Sequence, residues 1–419
     1  MRMAEDKSCY EYVAIYVDDL LISMKDPEKF CNDLKENFKF KLKGDGPISY
    51  HLGLNYIRDK DGVLRQQPIQ YIEKMMNSYE QMFKSEPKKY KTPLDKGDHP
   101  ELDTSELLDQ EGIKFYLTMI GQIQWCVSLG RIDVFSACIT MSSFRNAPRK
   151  EHLTRLQRIY GYLLASKNAA IRVRTDEPDY TCYPDQVHDW ANSVYGNVKE
   201  EIPVDIPEPR GKPVVLTHYV DANLYHDMAT GRALTAVLHI INQTPFDWYC
   251  KKQATVETAT FGSEFNAARS AVEQIIDIRT TLRYLGVPIK GRSMMFGDNK
   301  SVVTNSTIPH SQLNKRHLAL SYHRVREAVA SDMLNFYHID GDKNPADIMS
   351  KIWGYQQVSS QLRALLFWNG DTIDIPSEVN QLKLLTIVQS RGECQNSNHN
   401  SLNSYDATYQ AEYSRWYEY

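Results

Sequence analysis

The chain has 419 residues, enough for two or three domains of about 150 residues each. Hydrophobic residues make up 42% and charged residues 24%, which excludes a mostly disordered chain, a collagen and a coiled-coil rod. A net charge of −4 argues against nucleic-acid binding through bulk charge, so any such binding must come from local patches. No run approaches the roughly 18 consecutive apolar residues of a membrane span. Met1 to Tyr10 contains Glu5, Asp6 and Lys7 and lacks the apolar stretch of a secretory signal. Cys9, Cys31, Cys126, Cys138, Cys182, Cys250 and Cys394 are scattered, odd in number and form no C-x-x-C pair. A reduced intracellular chain without structural zinc is expected.

Residues 1–110 mix short strands and helices. Within them "VAIYVDDLLIS", residues 13–23, predicts two strands meeting in a tight turn that carries Asp18 and Asp19. Adjacent carboxylates between apolar strands repel, so a cation or a shifted pKa must offset the cost, unless this is an ordinary surface hairpin with aspartate turn residues. Residues 111–175 are predicted helical, with Tyr116, Ile120, Ile123 and Val127, then Leu153, Leu156, Tyr160 and Leu163, at helical spacing. From Ser143 to Thr175 eight Lys/Arg face Glu151 alone, a balance of +7 that reads either as a nucleic-acid ramp or as a solvated helix face. Residues 176–212 reverse the sign. This Pro-rich, acidic stretch is expected to be an extended, self-repelling linker.

Residues 213–354 form a compact α/β segment. "VVLTHYV", "ALTAVLHII" and "DWYCKKQ" read as strands. A long helix runs from about Thr258 to Leu285, closed by Gly286 with Pro288 beyond it. A strand "SMMFGD", helical material from His317 to Ala330 and a last strand "MLNFYHI" complete the order. Three strands, helix, strand, helix, strand predicts a mixed sheet with helices on its faces. Residues 355–419 are expected to be a poorly ordered tail, Asn/Ser/Tyr-rich beyond Arg391.

Four carboxylates stand out in the α/β segment. Asp221 ends "LTHYVD", Asp298 ends "MMFGD", and Asp347 follows Pro345 at the start of another helix. At 100° per residue Glu264 lies on the same stripe as Ala268, Ala271, Ile275 and Leu282, where a glutamate needs a partner. Carboxylates from two strand ends and two helices could converge on two Mg²⁺ ions, a hard cation that takes oxygen ligands and suits in-line attack on a phosphodiester. Turn or cap roles for the aspartates are the alternative.

With these segments in hand the chain resembles the C-terminal part of a copia-type retrotransposon polyprotein, from about residue 10 to residue 354. "YVDDLLI" is similar to the family's polymerase turn, and "YHLGLNYIRD" to the segment after it. "YLTMIGQIQWCVSLGRIDVFSACITMSSF", with Pro148 and His152, resembles the connection, although Gly130-Arg131-Ile132-Asp133 replaces Thr-Arg-Pro-Asp. "WYCKKQATVETATFGSEF", "FGDNKSV", "NPADIMSK" and "YVDANL" resemble ribonuclease H motifs. They set Glu264, Asp298, Asp347 and Asp221 on the family's catalytic, metal-binding carboxylates.

The resemblance implies a ribonuclease H-like, five-stranded mixed sheet with flanking helices, preceded by a truncated reverse transcriptase palm, thumb and connection. It implies hydrolysis of the RNA strand of RNA–DNA hybrids with two Mg²⁺ ions, Mn²⁺ being possible, and a location in a cytoplasmic particle or the nucleus. Lys251, Lys252 and Gln253 are candidate nucleic-acid contacts. So are Lys315, Arg316, Arg324 and Arg326 in "NKRHLALSYHRVR", which departs from the family's R-T-K-H-I. His317 and His323 match family histidines, for which a structural role is expected. Only seventeen residues precede Asp18, so Asp18 and Asp19 are expected to be a polymerase remnant without its third carboxylate or nucleotide pocket. Upstream polyprotein portions are possible partners. The alternative is a non-catalytic retroelement remnant that binds nucleic acid or nothing.

Overall fold

The computed structural model of the chain describes residues 1–367, apart from 44, 45, 61 and 314. The first elements are β1 (Arg2–Met3), β2 (Tyr10–Tyr16), β3 (Asp19–Ser23) and α1 (Pro27–Glu36). Then come β4 (Tyr50–His51), β5 (Leu54–Arg58), β6 (Leu64–Gln67) and α2 (Ile69–Phe83). The predicted helical region holds α3 (Gln110–Ser128), α4 (Phe135–Ser142) and α5 (Lys150–Ala165), followed by the short β7 (Ile171–Arg172). The last third holds β8 (Leu216–Asp227), β9 (Arg232–Ile241), β10 (Thr244–Lys252), α6 (Thr260–Tyr284), β11 (Ser293–Gly297) and α7 (Lys300–Thr307). It ends with α8 (Ala319–Ala330), β12 (Leu334–His338), α9 (Asp347–Ser350) and α10 (Tyr355–Leu365).

The central sheet has five strands in the order β10-β9-β8-β11-β12. The first three pair antiparallel as a meander, and β11 runs parallel to both β8 and β12. This is the mixed, ribonuclease H-like sheet expected from the resemblance. Its parallel strand β11, "SMMFG", is buried at every position, as a strand covered on both faces must be. The alternation of β9 shows how the faces divide. Val237 packs under α6 with Val220, Phe265 and Ala268. Ala236, Leu238 and Ile240 point the other way, into one core with Ile120, Ile123, Leu156 and Ile159 of α3 and α5. The helical connection therefore covers the second face of the sheet.

The acidic stretch 176–212 differs from the expected tether. Tyr183 packs edge-to-face on Phe296 at 5.0 Å between ring centroids, and Trp190 is buried in the core beneath α6. Gln186 completes the edge of β12: its amide accepts from the Phe336 N–H at 2.9 Å and donates to the Phe336 carbonyl at 2.7 Å. Pairing an exposed strand edge in this way blocks association through it. Glu200 accepts from Arg279 at 2.7 Å and from Arg283 at 2.6 Å. Burial alone would raise its pKa, yet these two guanidiniums hold it down at about 2. The segment is a strap because its aromatic residues and Glu200 find partners far along the chain, which average composition conceals.

Five of the eight basic residues in the +7 block are likewise engaged in internal pairs. Arg155 binds Asp98 at 2.8 Å and Asp103 at 3.2 Å, Arg158 binds Asp95 at 2.8 Å, and Arg172 binds Asp59 at 2.9 Å. Lys150 pairs with Glu106, and Lys167 with Glu73. Acids of residues 59–106 thus fold back over most of the block, which reduces the charge it presents to solvent. The tail expected from residue 355 begins instead with α10, whose Val358, Leu362 and Leu365 are buried in the connection core. The remainder of that expected tail, 368–419, lies outside the described residues.

Buried histidines add a pH dependence. His218 and His239 face each other across β8 and β9 with Nδ1 atoms 2.7 Å apart, and burial drives both pKa values down. His226, whose Nε2 lies 2.9 Å from the Thr140 hydroxyl, is pushed down to about 4 by burial and by nearby Lys252. Its folded pKa lies below the ordinary value of about 6.5, so the unfolded chain takes up the proton first as pH falls. The stability that neutral His226 contributes is complete above about pH 6.5 and declines toward pH 4, by about 1.4 kcal/mol per pH unit. In urea unfolding at pH 7.5, 6.5 and 5.5, the gap between the wild type and His226→Gln should narrow as pH falls. A gap that ignores pH would contradict this.

Candidate active site

The sequence placed Asp221 at the end of its strand, but β8 continues six residues further, to Asp227. Asp221 sits opposite Ala236 in the middle of the antiparallel pair and is buried. Pairing becomes irregular only after Asn223, where Tyr225 takes a left-handed φ of 54°. Asp298 follows the last residue of β11, the strand beside β8, so parallel pairing of Gly297 with Val220 sets it next to Asp221. Glu264 projects from the first turns of α6, buried as its helical phase requires, and accepts from the Ala222 N–H. One oxygen each of Asp221, Glu264 and Asp298 lie within 4.8 Å of one another. Among the described residues no other group of three or more metal-ligating side chains is this close.

Asp347 begins α9 and reaches the same place through a cation. Lys351, one helical turn on, puts its ammonium 2.7 Å from Asp347 Oδ1 and 3.5 Å from Asp221 Oδ1. The Ser350 hydroxyl donates to Asp221 Oδ2. Asn344, fully buried, ties this loop to β8 by donating to the Val220 carbonyl at 2.8 Å, and its own carbonyl accepts from the Asp347 N–H at 3.1 Å. The loop carrying Asp347 is thus hung on the residue preceding Asp221. Gly341 crosses close by: a Cβ there would lie 3.2 Å from Asp298 Oδ2. Sequence reasoning missed Lys351, Ser350 and Asn344 as site residues. Their signal lay inside "NPADIMSK", where the i,i+4 spacing stacks Lys351 on Asp347.

Crowded acids in low dielectric resist ionisation. Burial, then Asp221 and Asp298, push Glu264 well above the usual carboxylate range. Burial and Asp221 raise Asp298 and carry Asp347 to about 8, while Lys351 opposes all three shifts. A divalent cation would relieve the same repulsion. The donor set is all oxygen, which fits Mg²⁺ or Mn²⁺ and not a soft metal.

The other predicted residues divide. Gln253 is a correction: it is buried, and its amide nitrogen donates to Thr235 Oγ1 at 3.0 Å and to the Ser263 carbonyl at 2.8 Å, fastening the end of β10 to β9 and α6. Arg326 is another, being buried against the Ile308 and Pro309 carbonyls with its guanidinium 4.8 Å from the Trp190 ring centre. Lys252 binds Asp227 and the Ser143 hydroxyl, each at 2.9 Å, and Arg324 pairs with Glu327 at 2.9 Å. Lys251 and Arg316 are exposed, and Lys315 lies over the Phe261 ring. His317 reaches the buried Glu257 at 3.2 Å, and His323 accepts from or donates to the Tyr195 hydroxyl at 2.7 Å.

The hairpin between β2 and β3 turns at Val17 and Asp18, Asp19 opens β3 opposite Tyr16, and both aspartates are exposed. Val17 beside them holds φ at 52°, a strained conformation for a β-branched residue. They are not part of the carboxylate group formed by Asp221, Glu264 and Asp298. No helix among the described residues is long and apolar enough to cross a membrane.

No protein-family profile matches the chain. It is 24% identical over 348 residues to the retrovirus-related Pol polyprotein from transposon TNT 1-94 of Nicotiana tabacum, covering 81% of this chain and 23% of that protein. It is 22% identical over 341 residues to the corresponding polyprotein from transposon RE1 of Arabidopsis thaliana, covering 81% and 20%. Among solved structures, LC11-RNase H1 in complex with RNA/DNA hybrid superposes with a TM-score of 0.26 at 16% identity, covering 32% of this chain and 92% of that one. The foamy viral protease-reverse transcriptase in complex with RNA/DNA hybrid gives a TM-score of 0.22 at 10% identity, covering 78% and 56%. The chain thus spans between a fifth and a quarter of the length of these curated relatives. Over 81% of its own length it is a relative of the retrovirus-related Pol polyproteins of copia-type plant transposons.

Proposed function

We propose that this chain is a reverse transcriptase/ribonuclease H portion of a retrotransposon polyprotein that hydrolyses the RNA strand of RNA–DNA hybrids. The observation that carries the reading is the convergence of Asp221, Glu264 and Asp298 within 4.8 Å, with Asp347 joined to them through Lys351. Homology to Pol polyproteins supports an enzyme of the nuclease or polymerase kind. Asp221, Glu264, Asp298 and Asp347 would hold two Mg²⁺ or Mn²⁺ ions. When bound, such a pair lowers the pKa of an attacking water and offsets charge at the phosphate. Asp221, central in the sheet and shared by both flanking groups of acids, would contribute to both positions. Asn344 and the Gly341 loop keep Asp347 and Asp298 in register with it. Of the expected basic contacts, exposed Lys251 and Arg316 and half-buried Lys315 would fix phosphates. Discrimination for RNA would rest on contacts to the 2′-hydroxyl.

The test is incubation of the full 419-residue chain with an end-labelled hybrid and with duplex DNA, in millimolar Mg²⁺ or Mn²⁺. The RNA of the hybrid should be cut and the duplex DNA spared. A folded sample that leaves the hybrid whole would favour the non-catalytic remnant. In the same assay Asp18→Asn should change the rate little, because its exposed turn lies outside the cluster, whereas Asp221→Asn should remove cleavage. Equal losses in both variants would contradict the assignment.

A further inference from the structure

The cluster holds its own cation. The Lys351 ammonium lies between two carboxylates from different elements, Asp347 of α9 and Asp221 of β8, at 2.7 and 3.5 Å. Glu264 and Asp298 each bring an oxygen within 4.8 Å of Asp221 and of each other. Two cation positions follow from this geometry. One is enclosed by Asp221, Glu264 and Asp298. The other lies between Asp221 and Asp347, and Lys351 fills it. The lysine is not built in rigidly: its side chain is 39% exposed, against 1% for Asp221, so it has room to swing into solvent.

We propose that Lys351 is the resident counter-cation of the Asp221–Asp347 position and competes with a divalent ion for it. This rests on the functional reading above and deepens it, making the two metal positions unequal in affinity. An ammonium and a divalent ion cannot share oxygens a few ångströms apart, because like charges at that range repel strongly at any interior dielectric. Loading the second position therefore requires Lys351 to leave, and the cost of that departure weakens binding there. At the first position Lys351 touches Asp221 alone, at 3.5 Å, and acts on Glu264 and Asp298 only through its field, so its competition there is weaker. Lys351 thus acts as a positioning residue that keeps Asp347 drawn to Asp221 when the second ion is absent.

The test is a Mn²⁺ titration of the full chain, with free Mn²⁺ followed by electron paramagnetic resonance. Thermal unfolding is measured alongside, with chelator and with saturating Mn²⁺. The wild type should bind one Mn²⁺ tightly and a second weakly. Lys351→Gln should tighten the second on the order of tenfold, since a competing charge is gone. Without metal the variant should melt below the wild type, and it should gain more from Mn²⁺, as linkage of binding to folding requires. Lys351→Arg should behave as the wild type. If Lys351→Gln is unfolded with chelator, Mn²⁺ should refold it; failure to refold would overturn the proposal, because the lost cation would then not be the cause. Identical second-site affinity in the wild type and Lys351→Gln would also overturn it, leaving the metal site itself intact. Absence of Mn²⁺ binding in every variant would instead sink the functional reading, and this proposal with it.

Discussion

Asp298→Asn is expected to abolish cleavage of a hybrid, by roughly three orders of magnitude or more, while leaving the fold in place. Asp298 touches the site from the end of β11, and its neighbours are acids. Burial and the charge of Asp221 already raise its pKa, so the ionised form is under strain whenever no cation is present. An amide has nearly the same shape and loses that strain, yet it is a poor ligand for a hard cation. The metal-free melting temperature should therefore stay level or rise as activity disappears. Melting curves in chelator and single-turnover rates in Mg²⁺ check the two halves. A variant that cleaves at the wild-type rate would remove Asp298 from the site, and one that melts far below the wild type would make it a structural residue.

The second large effect lies away from the chemistry. Arg131 and Asp133, from the segment "GRID", form a buried bidentate pair at 2.9 and 2.7 Å, with Arg131 fully enclosed. Ser166 accepts from the guanidinium at 2.6 Å, and the Tyr162 hydroxyl donates to Asp133 at 2.7 Å. The knot joins the turn between α3 and α4 to the end of α5, beneath the sheet. Asp133→Ala leaves a guanidinium buried without its counter-charge, which costs about 3–5 kcal/mol. Arg131→Met with Asp133→Leu removes both charges and should recover most of that loss, since the remaining polar partners are hydroxyls. Urea unfolding of the three proteins decides. Equal destabilisation by Asp133→Ala and by the double variant would show that packing, not charge, sets the cost.

How far the sequence foretold this site depends on how local each signal was. Glu264 was legible because an acid on an apolar stripe contradicts helical phase, and the fold resolves the contradiction by bringing Asp221 and Asp298 to it. The strand order was legible because alternation and helix caps are written in short windows. Gln253 was misread, since the neighbours that occupy its amide, Thr235 and Ser263, lie on other elements. The basic block from residue 143 was ambiguous for the same reason: Asp95, Asp98 and Asp103, which pair with its Arg155 and Arg158, precede them by more than fifty residues. The strap was hidden because an average over 176–212 counts acids and prolines but not which aromatic residue meets Phe296. Lys351 was in plain view, yet nothing in a lysine four residues after an aspartate says that a second acid, on a distant strand, will share it.

The central claim is that Asp221, Glu264, Asp298 and Asp347 together hold divalent metal. Crystals of the full chain grown with Mn²⁺ and measured at the manganese edge address it most directly. Anomalous peaks should lie within coordination distance of these four carboxylates, the stronger among Asp221, Glu264 and Asp298 and the weaker between Asp221 and Asp347. Well-ordered carboxylates with no anomalous peak among them at millimolar Mn²⁺ would contradict the account.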